Sequence, residues 1–507
     1  MQRMLRTGFS TPRSRAGLAG LRRPFSINLG TRGDMGEPNS NGANSATNEL
    51  VLEGKLLWED VQKCIVSAGN KCVTIQNAII DAGLRIDSAT LQQLTIHKTR
   101  IKGDLILSGC QIAGSIRLSK VQLQNNLSLI DLDIGKDIIL HAMEISGALE
   151  IDHVVSGLSL HLDQARFEKI AIRSSRARVL RYDAAPISPG VAAESVLILD
   201  KLDLDDEIKL TNLDSLSALS IQNIRSPLLE IGQSELSASQ TVFIGDCRCN
   251  TLKISGLALR DRATVKIEQS EVHILQCQVA MFEAASLVLA ETTVSQSAYL
   301  DIGTDGNPDV DISSAYFQRL RLASHLLGGA LQFYGSPFFR DGDQERNIKT
   351  AIILKKMFNE SHDFGDEDTM FYWLKTMEQK AAFTKFVKHH DLRALYTTIT
   401  YFLYRYFFGW GVRIRNPLAA LGIGSLFFGW VYFLLNFSVR GAQIFVLHER
   451  YSGFLGALMF SVFAVLNLDP PAAHLNSTAM YLYLIEFAIG LFFITLIIGI
   501  IIRKIVR

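Results

Sequence analysis

The stretch "LILSGCQIAGSIRLSKVQLQNNLSLIDLDIGKDIIL", residues 105–140, repeats itself every eleven residues. One apolar position runs Leu94, Leu105, Ile116, Leu127, Ile138, Leu149, Leu160, and a second runs Ile96, Leu107, Leu118, Leu129, Leu140, Ile151, Leu162. A third runs Ile101, Ile112, Leu123, Ile134, Ile145, is interrupted at Ser156 and resumes at Phe167. In the unit L-x-I-x-x-x-x-I the L-x-I segment alternates with the two-residue period of a β-strand. Three-residue strands have no stability alone, but identical rungs stacked on one another bury a continuous apolar interior. Farther on the period lengthens. Leu219/Ile221, Val242/Ile244 and Val265/Ile267 recur every 23 residues, as do Leu229/Ile231, Leu252/Ile254 and Leu275/Cys277. Two eleven-residue units nearly equal one such coil, so the sequence predicts a parallel β-solenoid with coils of about 22 residues. A leucine-rich horseshoe would need an L-x-x-L-x-L-x-x-N framework that the chain lacks.

The pattern continues through Leu287–Leu289, Leu300–Ile302, Val310–Ile312, Leu320–Leu322 and Leu331–Phe333, which sets the expected rod at 83–340. At about 4.8 Å per rung its length is on the order of 50 Å. Leu118, Leu129 and Leu140 are expected to stack as one buried column. The open end of such a rod exposes unpaired strand edges that must be covered. "KLLWEDVQKCIVSAG", 55–69, has helical spacing at Leu56, Leu57, Val61 and Ile65, so 48–82 reads as a helical cap.

Between the apolar rungs the outward positions show no recurring carboxylate cluster or aromatic row, which favours a scaffold or binding rod over a polysaccharide-cleaving one. No nucleophile elbow, phosphate loop, zinc spacing or dinucleotide fingerprint is present, so no enzyme and no cofactor is expected. The six cysteines (64, 72, 110, 247, 249, 277) show no CxxC spacing and read as small core-filling residues. A net charge of +1 in 507 residues gives no reason to expect a nucleic-acid partner. The charge is uneven, however: the first 33 residues hold seven arginines and no Asp, Glu or Lys. With its serines and threonines, and with "RRPFS" at 22–26, this leader has the composition of a mitochondrial transit peptide. A disordered basic tail, or a start at Met35, are the other readings. Residues 34–47 are a polar linker, so 1–47 stand apart from the fold.

From 344 the periodicity becomes helical. Segment 344–392 reads as a connector of two helices broken at "HDFGDED", where Gly365 ends one and Asp366 or Asp368 caps the next. His389 and His390 are adjacent and share no helix face, so they read as a solvated pair, not a metal site. Segment 393–415 contains "LYTTITYFLYRYFFGWG" (395–411), aromatic-rich with Arg405 inside, and fits a helix lying in a bilayer interface. Two spans follow within 416–507: Leu418–Phe437 without a charge, and Met480–Ile502 with Glu486 alone. Arg405, Arg413 and Arg415 precede the first span, and Arg503, Lys504 and Arg507 follow the second. The positive-inside rule puts both termini and the rod on the cytoplasmic or matrix side. The expected class is therefore β plus membrane α. Between the spans, "ALMFSVFAVLNLDPP" (457–471) belongs to an apolar segment, 452–470, too short to cross. It reads as a re-entrant half-helix and an extended turn, tolerated at membrane depth only when protein buries it or it lines a cavity.

The plan of span, half-helix, extended segment and span resembles a potassium-channel-type pore subunit. "YLIEFAIGLFFITLIIGIII" (483–502) resembles the inner helix of bacterial two-span channels. "GWGVRIRNP" (409–417) and "LKKMFNESHDFGDEDTMFYWLKTMEQKA" (354–381) resemble the turn and connector of channels fused to pentapeptide-like repeats. The resemblance implies a homotetramer in a lipid bilayer around one axial pore for an inorganic cation, with the rod as sensor or docking module for a protein or ligand. Aligned on the last aspartate of the potassium filter, the chain has Ala464, Val465, Leu466, Asn467, Leu468 and Asp469, with leucine at both glycine positions. Leucine resists the alternating backbone that turns successive carbonyls to the axis, so weak cation preference is expected. Asn467 and Asp469 offer amide and carboxylate rings at the mouth, or make only a capped turn. Glu486 is assigned to support of the pore loop rather than to lining the pore, and Gly490 and Gly499 either hinge the inner helix or let helices pack closely. The alternative is a non-conducting, membrane-anchored scaffold. The leader points to the mitochondrial inner membrane, with a bacterial plasma membrane as the other option.

Overall fold

In the computed structural model, residues 49–184, 195–237, 240–306, 308–323, 336–436, 445–446, 453–466, 468, 474–475 and 477–506 are described. Residues 49–322 wind into a parallel β-solenoid; among the described residues its strands form two parallel sheets, one of 11 strands along one long wall and one of 21 that takes in the opposite long wall and the short walls. One coil shows how the repeat builds it. Leu105–Ser108 forms the smaller sheet's wall, Gln111–Ile112 a short wall, Ile116–Ser119 the larger sheet's wall and Gln122–Leu123 a second short wall. The eleven-residue unit is thus half a coil. Leu127 aligns with Leu105 and Leu149, while Ile138 aligns with Ile116 and Leu160 on the opposite wall.

That geometry corrects one expectation. Leu118 aligns with Leu140, but Leu129 aligns with Leu107 and Ile151 across the interior. All three are fully buried. They form two facing columns, because eleven residues carry the chain half a turn around the rod. Beyond residue 225 the short and long walls fuse into twelve-residue strands, Arg225–Leu236, Arg248–Leu259 and Glu271–Phe282, and the coil lengthens to the 23-residue register.

The coils turn at left-handed residues, Lys98, Lys120 and Ala142 at one corner, Gly109, Asp131 and His153 at another. The next residue points inward at each: Thr99, Val121, Met143, Cys110, Leu132 and Val154 are all buried. Where that residue is polar it bonds the carbonyl two positions back. Thr99 donates to His97 (3.0 Å), Ser270 to Glu268 (2.9 Å) and Thr292 to Ala290 (3.1 Å). Cys110 and Cys247 do the same with Ser108 (3.4 Å) and Gly245 (3.2 Å), so these thiols occupy hydroxyl positions at the corners. Burial pushes the Cys249 and Cys277 thiols up to about 12, which leaves them protonated and unreactive. All six cysteines are free.

The rod begins earlier than residue 83. Strand Glu49–Leu56 pairs in parallel with Cys72–Ile80, so most of the segment expected as a helical cap is coil. Alternation in "ELVLEGKL" turns Leu52 and Leu56 inward, and this β period overrides the helical spacing of Leu56 and Leu57. Only α1, Trp58–Ala68, is helical. It buries Val61 and Ile65 and packs on strand Leu84–Asp87, the terminal strand of the smaller sheet. One helix thereby covers that edge. The last described strand of the rod is Leu320–Leu322; Leu331–Phe333, expected as a further strand, lie outside the described residues.

At the other end α2, Gln344–Glu360, closes the rod. Ala351, Leu354, Met357 and Phe358 extend the solenoid core, joined by Met370 and Leu374 from α3, Phe364–His389. Buried Arg346 donates to both carboxylate oxygens of Asp309 (3.1 and 2.5 Å) and to the Val310 carbonyl (2.9 Å). Arg346→Ala is expected to loosen this end of the rod by about 2–3 kcal/mol, because Asp309 loses a forked, charge-assisted partner. Arg346→Lys should restore only a fraction of it, since a lysine lacks the fork. Thermal unfolding of the purified protein measures both. The break between α2 and α3 also differs in detail from the expectation. His362 takes the left-handed conformation, and Asp363 is the cap, accepting from the Asp366 amide (3.3 Å). Gly365 lies inside the first turn of α3.

Candidate functional site

Helix α4, Leu392–Tyr406, starts at Asp391, whose side chain accepts from the Arg393 amide (2.9 Å). Its Leu392, Tyr396, Ile399, Leu403 and Tyr406 are exposed at spacings of four and three, an apolar stripe along one face. On its other side Tyr401 donates to Glu378 of α3 (3.1 Å). A tight turn at Gly409–Gly411 leads to α5, Arg415–Asn436. Helix α5 and the last helix, α7, Ser477–Val506, are both long and apolar enough to cross a membrane. The basic end of α7 reaches the connector: Arg503 donates to Asp368 of α3 at 2.7 Å. Close by, the Arg413 guanidinium stands 3.5 Å from the Tyr372 ring centre. On the far side of the spans, Phe445–Val446 pairs antiparallel with His474–Leu475.

Between the spans sits α6, Phe454–Val465, twelve residues that reach only about 18 Å. It packs against both spans. Close approach needs small residues. A Cβ on Gly429 of α5 would stand 3.0 Å from the Leu458 Cα, and one on Gly490 of α7 would press into the Val465 backbone, 2.8 Å from its Cα. Gly499 has open space around it, so the two glycines of α7 have different surroundings. Tyr432 and Phe460 are fully buried and meet edge to face at 5.1 Å.

Glu486 lies at this three-helix junction and is fully buried. Tyr432 of α5 donates its hydroxyl to the carboxylate at 2.7 Å, and the Ser461 hydroxyl of α6 lies within hydrogen-bond reach of it. Ser461 also reaches the Ser425 carbonyl of α5 at 2.9 Å. A fully buried ionisable group is costly unless partnered, and here two hydroxyls partner it. A cavity of about 20 Å3, lined by Gly424, Phe428, Val465 and Gly490 among others, adjoins Glu486.

The filter candidates divide. Ala464 and Val465 are buried in the last turn of α6, whereas Leu466 and Leu468 are 44% and 47% exposed. Asn467 and Asp469 lie outside the described residues. Leu466 is the C-cap of α6 (φ −83°, ψ 3°), its amide donating to the Val462 carbonyl (3.0 Å), and the Leu468 amide donates back to the Phe463 carbonyl (2.9 Å). Sequence reasoning singled out Glu486 but missed its partners. The signal was present: Tyr432 and Ser461 are polar side chains inside largely apolar helices, where a buried hydroxyl needs a bonding partner. No group of three or more His, Cys, Asp or Glu able to hold a metal occurs among the described residues. His390 is the left-handed C-cap of α3.

Fold and site together define a β-solenoid joined to two helices able to span a membrane and a short apolar helix between them. Comparison with protein-family models, curated proteins and solved structures gives no match.

Proposed function

We propose that this chain is a channel-like integral membrane protein, a homotetramer with a weakly selective cation pore and a solenoid that serves as sensor or docking module. The observation that carries the reading is the half-helix α6, held between two spans by a buried carboxylate instead of crossing the bilayer. A short apolar helix of that kind, followed by a turn near Leu466 and Leu468, has the plan of a pore loop. The Arg-rich leader favours the mitochondrial inner membrane, and a bacterial plasma membrane is the alternative.

One observation favours a second reading, a membrane-anchored scaffold that does not conduct: the Leu466 and Leu468 amides fold back onto the Val462 and Phe463 carbonyls of α6 instead of opening into an extended strand. Reversal potentials of the purified protein in planar bilayers, under opposed potassium and sodium gradients, separate these readings. The expected value lies near zero, because the leucines reduce the supply of axis-facing carbonyls. A value near the potassium equilibrium potential would refute weak selectivity. Absence of current from folded tetramer would establish the scaffold.

A further inference from the structure

Residues 379–415 hold seven Lys and Arg and a single carboxylate, Asp391, in a chain whose net charge is +1. Asp391 is already engaged, capping α4 through the Arg393 amide (2.9 Å). Where α3 turns into α4, Lys385, Lys388 and Arg393 are all exposed. The ion pairs of α3 lie elsewhere, Lys375 with Glu378 and Asp368 with Arg503, both at 2.7 Å. None of the three corner cations has an ion-pair partner among the described residues. Apolar side chains stand exposed among them, Phe383 and Val387 in the last turns of α3, Leu392 and Tyr396 at the start of α4. Cations interleaved with large apolar groups suit an anionic bilayer, because the apolar groups enter the headgroup boundary while the cations meet the lipid charge.

The fold leads this surface to a membrane. Helices α3 and α4 pack side by side, tied by Tyr401 to Glu378 (3.1 Å) and by Arg405 to Gln379 (3.4 Å). The far end of α4 stands at the foot of the first span, where the Asn416 side chain donates to the Arg405 carbonyl (2.6 Å). The corner is therefore one helix length, about 22 Å, from that foot. The exposed stripe of Leu392, Tyr396, Ile399, Leu403 and Tyr406 covers the whole of that length. An apolar face that starts at the foot of a span is covered by the bilayer the span enters. We propose that the corner between α3 and α4 docks on an anionic bilayer surface, with Lys385, Lys388 and Arg393 on the anionic headgroups and Val387, Leu392 and Tyr396 in the headgroup boundary. This docking goes beyond the pore reading and rests only on the part of it that places α5 and α7 across a bilayer. Helix α3 also holds the end of α7 through Asp368 and Arg503, so the lipid charge that seats the corner bears on the second span.

The full-length protein is placed in nanodiscs of phosphatidylcholine alone and of an equimolar phosphatidylcholine–phosphatidylglycerol mixture. Lysine acetylation by sulfosuccinimidyl acetate is then followed residue by residue by mass spectrometry. At low salt Lys385 and Lys388 should react about tenfold more slowly in the mixed discs than in the neutral ones, since each is held at the charged surface. Lys98, exposed on the rod, should react alike in both. High salt should erase the difference, because the attraction acts over a Debye length. Val387→Asp, at an exposed position, should reduce it several-fold by setting a carboxylate against the lipid charge. Protection that high salt or Val387→Asp leaves unchanged overturns the proposal. Protection in neutral discs that fades on dilution assigns the surface to a second copy and overturns it too. Insertion into both discs with equal acetylation overturns the docking alone, whereas failure to enter either disc overturns the membrane reading with it.

Discussion

Leu129→Asp should unfold the middle of the rod. Leu129 is fully buried between Leu107 and Ile151, with the opposite wall facing it across the interior. A carboxylate there has no cation or donor within the apolar column, so it either stays ionised and unpaired or takes up a proton and still lacks a partner. The expected loss is on the order of 3–5 kcal/mol. A solenoid is stabilised by nearest-neighbour interfaces, so a defect in one coil weakens both contacts of that rung and splits the rod into two shorter stacks. Thermal unfolding followed by circular dichroism should show a lower or divided transition, and limited proteolysis should cut near residue 129. The neighbouring position supplies the control. Ser128 points outward beside Glu150 on the next rung, so Ser128→Lys should change stability little. Equal stability for Leu129→Asp and the parent would mean that the side chain is not inside.

Why the coil was legible and its corners were not follows from the same residues. Burial acts on every second side chain of a strand, so Leu105, Leu107, Leu127 and Leu129 mark the interior by type alone. Which wall a residue belongs to is decided by how far eleven residues carry the chain around the rod, and that angle is not written in the spacing. Left-handed corners are usually marked by glycine or asparagine. Here Lys98, Lys120, Ala142 and His153 take them, and only the buried residue that follows each one betrays the turn. At the N-terminal end Leu56 fits a helix and a strand equally well; pairing with Ile80 decides for the strand, and Leu57 becomes the exposed cap of α1. In α5 and α7 length and apolarity marked helices able to span a membrane, since length and hydropathy suffice for that. The partners of Glu486 depend on how three helices pack, and a spacing of 54 residues to Tyr432 carries no sequence signal.

That packing sets the other large effect. Glu486→Ala is expected to destabilise the packing of α5, α6 and α7 on the order of 3–5 kcal/mol, from two additive causes. Tyr432 loses the carboxylate and Ser461 one of its two bonding partners while keeping the Ser425 carbonyl, and a buried hydroxyl left short costs about 1–3 kcal/mol. The missing side chain also enlarges the small cavity beside Gly424 and Gly490. Glu486→Gln should keep most of the stability, because its amide oxygen still accepts from Tyr432 and its nitrogen still reaches Ser461. Removing the need for a partner should help as well. Glu486→Leu combined with Tyr432→Phe and Ser461→Ala leaves no hydroxyl short and should be more stable than Glu486→Ala. Thermal unfolding of detergent-solubilised protein, read by tryptophan fluorescence, ranks the series. If Glu486→Ala and Glu486→Gln fall by the same amount, the carboxylate does not tie the helices through these bonds. If the triple variant is the least stable of the three, the polar network contributes more than the satisfaction of its own groups, and α6 depends on it for position.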